Sequence, residues 1–287
     1  MLFLLLLLTP LQTDGVNLRW QFKQGDTFNQ ESRSQLNQTV KVGDKEFKQD
    51  LVHTTLVKYT VSEVTPMGIT LEQQIESMKA TAPDGQPSPG NNAVLNQLQG
   101  AILKAKLSPD LQVKELEGYD ELLKRLAGDD PSIQRVAKAL LSEEQLKNAI
   151  SHSLGFVPQK ATSPGATWNR EMTIALGPLG SVRIGQAFKF EGMESVDGVS
   201  LAKITFQPTV AYSAPKPDAS NPELSITQGN IKLKEGSGVV YFDPAAGRLH
   251  HSTLKLTLTG DLTAKISGKE IPLTFDQTQT IDVRMKK

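Results

Sequence analysis

A seven-residue phrase that occurs twice constrains the fold of this chain more than any other feature. Residues 25–31 and 165–171 both read Gly-x-Thr-aromatic-Asn-x-Glu, and the second copy begins 140 residues after the first. Each copy opens a run of residues that is typical of a strand. Because a repeat at the spacing of a small domain indicates internal duplication, we predict two related halves that each start at the phrase.

The first half is predicted to be a meander of antiparallel strands. Alternating apolar and polar residues, or runs rich in Thr, Val and Tyr, indicate strands, and Gly-Asp and Pro-Met-Gly indicate the turns between them. The predicted strands cover 18–23, 27–42, 47–64 and 69–78. After a Pro- and Gly-rich linker (82–90) we expect a short helix at 93–98, and then a hairpin formed by 101–107 and 111–116.

Three short helices are predicted to follow this hairpin. The first covers 119–126, with its leucines at helical spacing. Asp130-Pro131 supplies an N-cap and a first-turn proline for the second helix, whose predicted buried stripe is Ile133, Val136, Ala137 and Leu140. Ser142 and Gln145 have the spacing of a capping box and begin the third helix, which ends near Leu154.

The second half is predicted to be another set of antiparallel strands. They cover 167–176, 182–190, 199–210, 224–233, 238–242, 248–260, 262–266 and 274–285. We interpret Gly177–Gly180 and Gly236–Gly238 as turns, and 213–222 as an exposed loop. The fold class is therefore α+β: two related antiparallel β-meanders, as curved sheets or a half-barrel, with a short-helix insert over a concave face.

The chain divides into an N-terminal segment (1–14), a first meander (15–117), a helical insert (118–158) and a second meander (159–287). Residues 2–8 are uninterrupted apolar residues, too few to span a bilayer as a helix but enough for the core of a secretory signal. No Lys or Arg precedes the run and no clear cleavage site follows it. We predict an exported protein of the periplasm, the cell envelope or the extracellular space; the alternative is an N-terminal segment of the fold itself.

Composition excludes several classes of function. The 31 basic and 31 acidic residues give a formal net charge of zero, which argues against a nucleic-acid binder and against an electrostatic membrane-surface binder. The chain has no cysteine. Disulfides, thiolate catalysis, cysteine-ligated zinc and lipid attachment through an N-terminal cysteine are therefore excluded.

Residues with catalytic or metal-binding chemistry form no recognisable constellation. His250 and His251 are adjacent in a predicted strand and should point to opposite faces, so they should not share a metal ion. His152 lies late in a predicted helix, where a cation suits the dipole. Glu31 and Glu171 occupy the same place in the repeated phrase and would form a carboxylate pair if the halves faced each other; solvated strand positions are the favoured interpretation.

The motifs of hydrolases and phosphate binders are missing, since the chain contains no Gly-x-Ser-x-Gly, HExxH or phosphate loop. We interpret Phe28 and Trp168 as core anchors at the starts of their strands, rather than ligand contacts. The prediction is a non-enzyme with no catalytic, cofactor-binding or metal-binding residues.

Several stretches together resemble a known family over nearly the whole chain. They are 23–28 (Lys-Gln-Gly-Asp-Thr-Phe), 116–122 (Leu-Glu-Gly-Tyr-Asp-Glu-Leu), 141–147 (Leu-Ser-Glu-Glu-Gln-Leu-Lys), 156–158 (Phe-Val-Pro) and 165–168 (Gly-Ala-Thr-Trp). The order resembles a family of uncharacterised exported bacterial proteins, frequent in planctomycetes and Bacteroidetes and often lipid-anchored. The resemblance implies export and no assigned activity, and this chain departs from many members in lacking a lipid-anchor cysteine.

Two classes of function remain. The first is an exported, non-enzymatic binding module that holds an apolar or lipid-like ligand between sheet and helices; the expected shape is similar to that of periplasmic lipoprotein carriers. It predicts an apolar cavity of several hundred Å³. The second is an envelope structural or protein-interaction module with a filled core, which predicts an exposed apolar patch or an open sheet edge. A hydrolase is a third class and would need a polar cleft with shifted pKa values.

Overall fold

The computed structural model of the protein describes residues 15–128, 130–176, 180–215, 224–266 and 269–286, which are mostly antiparallel strands. The strands are β1 (Val16–Leu18), β2 (Thr27–Val42), β3 (Lys45–Thr65), β4 (Gly68–Thr81), β5 (Ile102–Leu107), β6 (Val113–Glu117), β7 (Lys160–Thr162), β8 (Thr167–Ala175), β9 (Ser181–Val196), β10 (Val199–Ser213), β11 (Leu224–Asp243), β12 (Arg248–Ile266) and β13 (Lys269–Lys286). The helices are α1 (Pro89–Leu98), α2 (Tyr119–Ala127), α3 (Pro131–Leu140) and α4 (Glu143–Leu154).

Eleven of the strands form one continuous sheet. Their order is β6-β5-β4-β3-β2-β13-β12-β11-β10-β9-β8, while β1 and β7 form a separate pair. The two predicted meanders are therefore neighbouring parts of a single sheet. They are joined where β2 pairs antiparallel with β13, from Asn29 opposite Lys286 to Val42 opposite Leu273.

The sheet is strongly curved but not closed. Eleven strands at a spacing of ~4.8 Å would span about 50 Å if flat, whereas a helix of this length spans about 18 Å. Nevertheless α4 reaches both edges of the sheet. The backbone N–H of Val113 on β6 donates to Ser151 Oγ (2.9 Å), and Gln145 Nε2 donates to the carbonyl of Ala175 on β8 (2.5 Å). Helix α4 therefore lies in the gap between the edges, and the face that meets it is concave.

The core fills one end of this concave face, the end at which the β3–β4 and β9–β10 turns lie; we call it the lower end. Its fully buried side chains come from both meanders and include Val61, Phe190, Ile204 and Phe242. Residues 20–22, which follow β1, close the core from below, since Trp20 stacks on Phe22 and meets Phe156 and Phe242 edge-on.

Two tryptophans donate hydrogen bonds to carbonyls at the end of α4 and just after it. The indole N–H of Trp20 donates to the carbonyl of Leu154 (2.7 Å), and that of Trp168 donates to the carbonyl of Phe156 (2.9 Å). The last carbonyls of a helix have no partner within it, so side-chain donors are needed when the end is buried. The bond from Trp20 satisfies the last carbonyl of α4, and the bond from Trp168 ties the segment after the helix to β8.

Much of the local prediction is confirmed. The capping box is present: Gln145 N–H donates to Ser142 Oγ (3.2 Å) and Ser142 N–H donates to Gln145 Oε1 (3.0 Å). Pro131 begins α3, and β5 and β6 form the expected hairpin. The strand predicted over 69–78 lies within β4, with a bulge at Glu76, because Ile75 pairs with Val57 and Ser77 pairs with Leu56.

Three local predictions are wrong. The strand predicted over 18–23 ends at Leu18, because the chain then leaves the β1–β7 pair and docks Trp20 on the end of α4. The turn predicted at Gly236–Gly238 is continuous strand within β11. Ile133 of the predicted buried stripe is 52% exposed, because this part of α3 faces away from the core.

Several predictions fall outside the described residues. These are the export segment at 1–14, most of the Gly177–Gly180 turn, most of the loop at 213–222, and the side chains of Val136 and Leu140.

Candidate ligand-binding surface

The sheet splits along part of its length between β10 and β11. These strands pair only from Ala202–Phe206 to Gly238–Phe242 among the described residues, although β10 continues beside β9, and β11 beside β12. Pro208 removes a backbone donor where the ladder stops, and β11 has a bulge between Leu233 and Glu235. A groove of about 610 Å³ follows, lined by residues 208–212 and 230–233; we call it the seam.

Rings and glycines keep the two strands close below and beside the seam. A Cβ at Gly238 would collide with the ring of Phe206, one at Gly236 would lie 2.6 Å from Pro208, and one at Gly229 would lie 2.9 Å from the ring of Tyr212. Rings that cover strand glycines hold strands in register without requiring ladder hydrogen bonds. The three glycines of β11 therefore make room for the rings of β10.

The concave face above the core continues from the seam across the centre of the sheet. Its side chains alternate with outward ones and lie on the same face as Leu254 and Val283, which pack against the core. We call this surface the concave strip. It consists of Ile231, Leu233, Leu254, Leu256, Leu258, Gln277, Gln279, Ile281, Ser34, Leu36 and Gln38. All eleven side chains are half-buried.

Cross-strand pairs place leucines of β11 and β12 beside glutamines of β13. One row pairs Leu233 with Leu258, Leu258 with Gln277, and Gln277 with Gln38. In the next row, Leu256 pairs with Gln279, which pairs with Leu36. An apolar area on β11 and β12 therefore borders an uncharged area on β13 and β2, in which glutamines and Ser34 lie among the apolar Leu36 and Ile281.

Charged residues of these strands alternate onto the outer face. Lys232, Lys234, Lys255, Asp276 and Arg33 are all exposed, and Lys234 Nζ lies 3.3 Å from Asp276 Oδ1 across β12. None of the eleven strip residues is ionisable. The first ionisable side chain along these rows is His53 on β3, which pairs with Ser34.

The prediction that His250 and His251 point to opposite faces is wrong. A bulge places His251 opposite Tyr241 and Leu249 opposite Phe242, so His250 is an extra residue, and the two Nδ1 atoms lie 2.9 Å apart. Burial, followed by the neighbouring His250, lowers the pKa of His251. Among the described residues, no three His, Asp or Glu side chains are grouped so that they could hold a metal ion.

His152 differs from the helix-terminal cation that its position predicted. Its Nε2 lies 2.7 Å from Gln186 Oε1 on β9, and burial lowers its pKa despite that hydrogen bond. Burial therefore disfavours the charged form that would suit the helix dipole.

Glu31 and Glu171 do not form a carboxylate pair. They lie on β2 and β8, which five strands of the sheet separate. Glu31 forms an ion pair with Lys286 on β13. Glu31 is therefore a strand residue in an ion pair, and it has no neighbouring Glu171 with which to share acid–base chemistry.

The aromatic residues of the repeated phrase are core anchors, as predicted. Phe28 pairs with Tyr59 and stacks on it at 5.0 Å, and Trp168 pairs with Phe188 and stacks on it at 5.6 Å. Phe28 and Trp168 both pack against the core. Burial raises the pKa of Tyr59 to about 12.

Sequence reasoning missed the seam and the concave strip. The signal for the strip was present, since Phe275, Gln277, Gln279 and Ile281 alternate with polar residues in β13. That alternation identifies one face, but two glutamines read as solvent-facing residues until the pairing places them beside leucines. The seam depends on pairing that stops, which no local pattern in β10 or β11 reports.

Residues 53–197, about half of the chain, match the sequence model of a family described as "Family of unknown function (DUF6263)". The chain belongs to this family. Membership in DUF6263 confirms the expected relation to a family without an assigned activity. No curated protein matches the sequence.

Solved structures similar to this DUF6263 protein share little sequence with it. A structure described as "Lipid-protein interactions in lipovitellin" has a TM-score of 0.47 and 8% identity, and the match covers 93% of this chain and 26% of that one. This chain thus spans about a quarter of the lipovitellin chain.

Two bacterial structures match more distantly. An exported protein with a YmcC-like fold from Bacteroides fragilis has a TM-score of 0.26 and 11% identity, over 94% of this chain and all of that one. A DUF1329 family protein from Desulfovibrio piger has a TM-score of 0.19 and 10% identity, over 88% and 85%. At these TM-scores the likenesses carry no inference about function. Within the described residues, no helix has the length and apolar character needed to cross a bilayer.

Proposed function

We propose that this protein is a non-enzymatic binding module that holds an apolar or amphipathic, lipid-like ligand on the concave strip. The observation that carries the proposal is the strip itself: eleven half-buried, uncharged side chains that begin at a groove of about 610 Å³. The lower end of the same face is filled by core, whereas the strip lies above it.

The hydrophobic effect is large enough to support such binding. Each buried CH₂ group contributes about 0.8 kcal/mol, so an apolar chain of about ten methylenes gains about 8 kcal/mol before the costs of association. That gross gain corresponds to a dissociation constant of about 1 μM. The costs of association weaken the net affinity, so this value is the upper limit for an acyl chain of about ten methylenes, and a longer chain gains about 0.8 kcal/mol for each further CH₂ group that it buries.

A catalytic role has less support. The described glutamates with perturbed ionisation are Glu46, Glu115, Glu191 and Glu194. In each, hydrogen bonding to a lysine is the main cause of a lowered pKa, whereas a general acid needs a raised one. We therefore propose that the protein is not an enzyme.

The alternative is a protein-interaction module, and the seam favours it specifically. Among the described residues, β10 and β11 stop pairing beyond Phe206 and Gly238, and an extended peptide would add to the sheet there as a further strand. The two functions differ in what occupies the groove: an apolar chain in the first, and an extended peptide in the second.

We also propose that the two meanders are related. At the first phrase, Gly25 N–H donates to the carbonyl of Val61 (2.8 Å), and Val61 N–H donates to that of Asp26 (2.9 Å). At the second phrase, Gly165 N–H donates to the carbonyl of Phe190 (2.7 Å), and Phe190 N–H donates to that of Ala166 (2.9 Å). A bulge follows each strand partner, at residues 62 and 191. A reciprocal exchange of residues 25–28 and 165–168 tests this, since related turns should accept each other's sequence without loss of folding.

Export to the periplasm, envelope or exterior remains part of the proposal and is supported by the apolar run at residues 2–8. Fractionation of cells that express the full chain tests it. Recovery of the intact chain in the cytosolic fraction alone would contradict it.

The binding proposal is tested by titration with the uncharged apolar dye N-phenyl-1-naphthylamine. Leu258→Gln places an amide in the apolar area and should weaken dye binding about tenfold, while the neighbouring outward change Thr259→Gln should leave it unchanged. Circular dichroism verifies that both variants are folded. Native mass spectrometry of the purified protein identifies any molecule that co-purifies with it. A bound lipid supports the proposal, and a bound peptide supports the alternative.

A further inference from the structure

Three glutamines and a serine on the concave strip form a continuous chain of hydrogen bonds. Gln38 Nε2 donates to Gln277 Oε1 (3.2 Å), Gln277 Nε2 donates to Gln279 Oε1 (3.3 Å), and Gln279 Nε2 donates to Ser34 Oγ (2.9 Å). We call this set the amide ladder. It crosses the junction of β2 and β13, where the two meanders meet.

The amide ladder has donors and acceptors beyond those it uses internally. A carboxamide has two N–H donors and two acceptor lone pairs. The ladder bonds use one N–H of each of Gln38, Gln277 and Gln279. The second N–H groups and the remaining carbonyl lone pairs are on the same half-buried face. Such a surface can donate to and accept from one ligand group at the same time.

The amide ladder lies directly beside leucine side chains of the concave strip. Leu258 and Leu256 pair with Gln277 and Gln279 on one side, and Leu36 pairs with Gln279 on the other. From Leu233 beside the seam to Gln38 is three strand spacings, about 14 Å. That distance matches a single medium-length acyl chain whose polar group reaches the ladder.

The same surface offers no compensating charge. Removing a charged group from water is costly unless a partner of opposite sign is present, whereas an uncharged polar group needs only hydrogen bonds. The strip has no ionisable side chain, and the lysines and aspartate of β11, β12 and β13 that flank it lie on the outer face. Amide groups therefore favour an uncharged partner over a carboxylate, phosphate or ammonium.

From this geometry we propose that the amide ladder selects ligands with an uncharged hydrogen-bonding group, such as a hydroxyl, ester or amide, attached to a single apolar chain. This inference rests on the proposed function and specifies its ligand class. Gln277 and Gln279 are the specificity-determining residues, because they lie directly beside the leucines that would hold the chain.

Matched twelve-carbon ligands test the inference by isothermal titration calorimetry below their critical micelle concentrations. At pH 7.5 the full chain should bind 1-monolauroylglycerol at least about tenfold more tightly than dodecanoate or dodecylammonium, since these differ in the head group. Equal affinities, or tighter binding of either ion, would overturn the inference and leave the binding function standing. If none of the three ligands nor the dye N-phenyl-1-naphthylamine binds, the proposed function fails first.

Substitutions then locate the selectivity. Gln277→Leu or Gln279→Met should reduce the preference for 1-monolauroylglycerol about tenfold while keeping dye affinity, which also shows that each variant is folded. Thr278→Leu, between them on the outer face, is the control and should keep the preference. A preference that survives in both glutamine variants places selection elsewhere and contradicts the role of the ladder.

Discussion

The lower and upper parts of the concave face are built from the same strands with the same alternation, yet they differ in burial. On β12, Leu249 is 6% exposed at the lower end, whereas Leu256 and Leu258 higher on the strand are only half-buried. Side chains of α4, Trp20 and Phe156 cover the lower part. Trp20 also donates a hydrogen bond to the last carbonyl of α4. Alternation therefore sets which face a side chain occupies, and the covering elements set how deeply it is buried.

The largest effect should come from emptying the lower core. Phe242→Ala removes a fully buried ring that contacts Trp20 and Phe156, and should reduce the free energy of unfolding by about 3–5 kcal/mol. Leu256→Ala in the concave strip should cost less than about 2 kcal/mol, because its side chain is already partly in water. Urea denaturation of both variants measures the difference. Equal losses would show that the two parts of the face are packed alike.

A smaller effect should follow from removing one donor at the helix end. Trp20→Phe keeps an aromatic ring but leaves the carbonyl of Leu154 without its indole partner, at a cost of about 1–3 kcal/mol. Trp168→Phe should cost less, because the bond to Phe156 is only partly buried. Thermal unfolding of the two variants ranks them, and the opposite order would contradict the account of how α4 is held.

The pH dependence separates folding from binding. Burial lowers the pKa of His152 and His251, so both bind protons less readily in the folded protein than in the unfolded chain. Stability is therefore complete above the unfolded histidine pKa of about 6.5, and it declines as pH falls from there toward the lowered folded values. His152→Gln should make the decline shallower.

Dye binding by the folded protein should stay constant between pH 8 and 6.5, since the concave strip has no titratable side chain. Urea midpoints and dye titrations at matched pH values test both expectations. Stability that rises as the pH falls below about 6.5 would contradict the assigned sign.

The smallest effect should come from the outer face. Lys234→Ala removes an ion pair with Asp276 whose side chains are 56% and 74% exposed. Solvated pairs of this kind contribute little to folding. We expect no measurable change in the urea midpoint or in dye affinity, and a loss of binding would mean that the outer face belongs to the ligand site.

Prediction from sequence was strongest where a local signal has one structural solution. The capping box of Ser142, the proline that begins α3 and the hairpin of β5 and β6 were all readable, because each depends on residues close together in the chain. The errors lie where a distant contact decides. A bulge opposite Tyr241 brings His250 and His251 together, and docking of Trp20 on α4 ends the first strand early.

Alternation, glycine positions and composition can be read along the chain. They predict a protein made mainly of antiparallel strands, the places of most of its turns and the absence of cysteine chemistry. Contacts between distant strands set the rest: β2 pairs with β13, β10 and β11 separate above Phe206, and Gln277 and Gln279 lie beside leucines. Strand order and register depend on pairing between residues as much as 257 positions apart, Asn29 and Lys286 among them, and no window along the chain contains both partners.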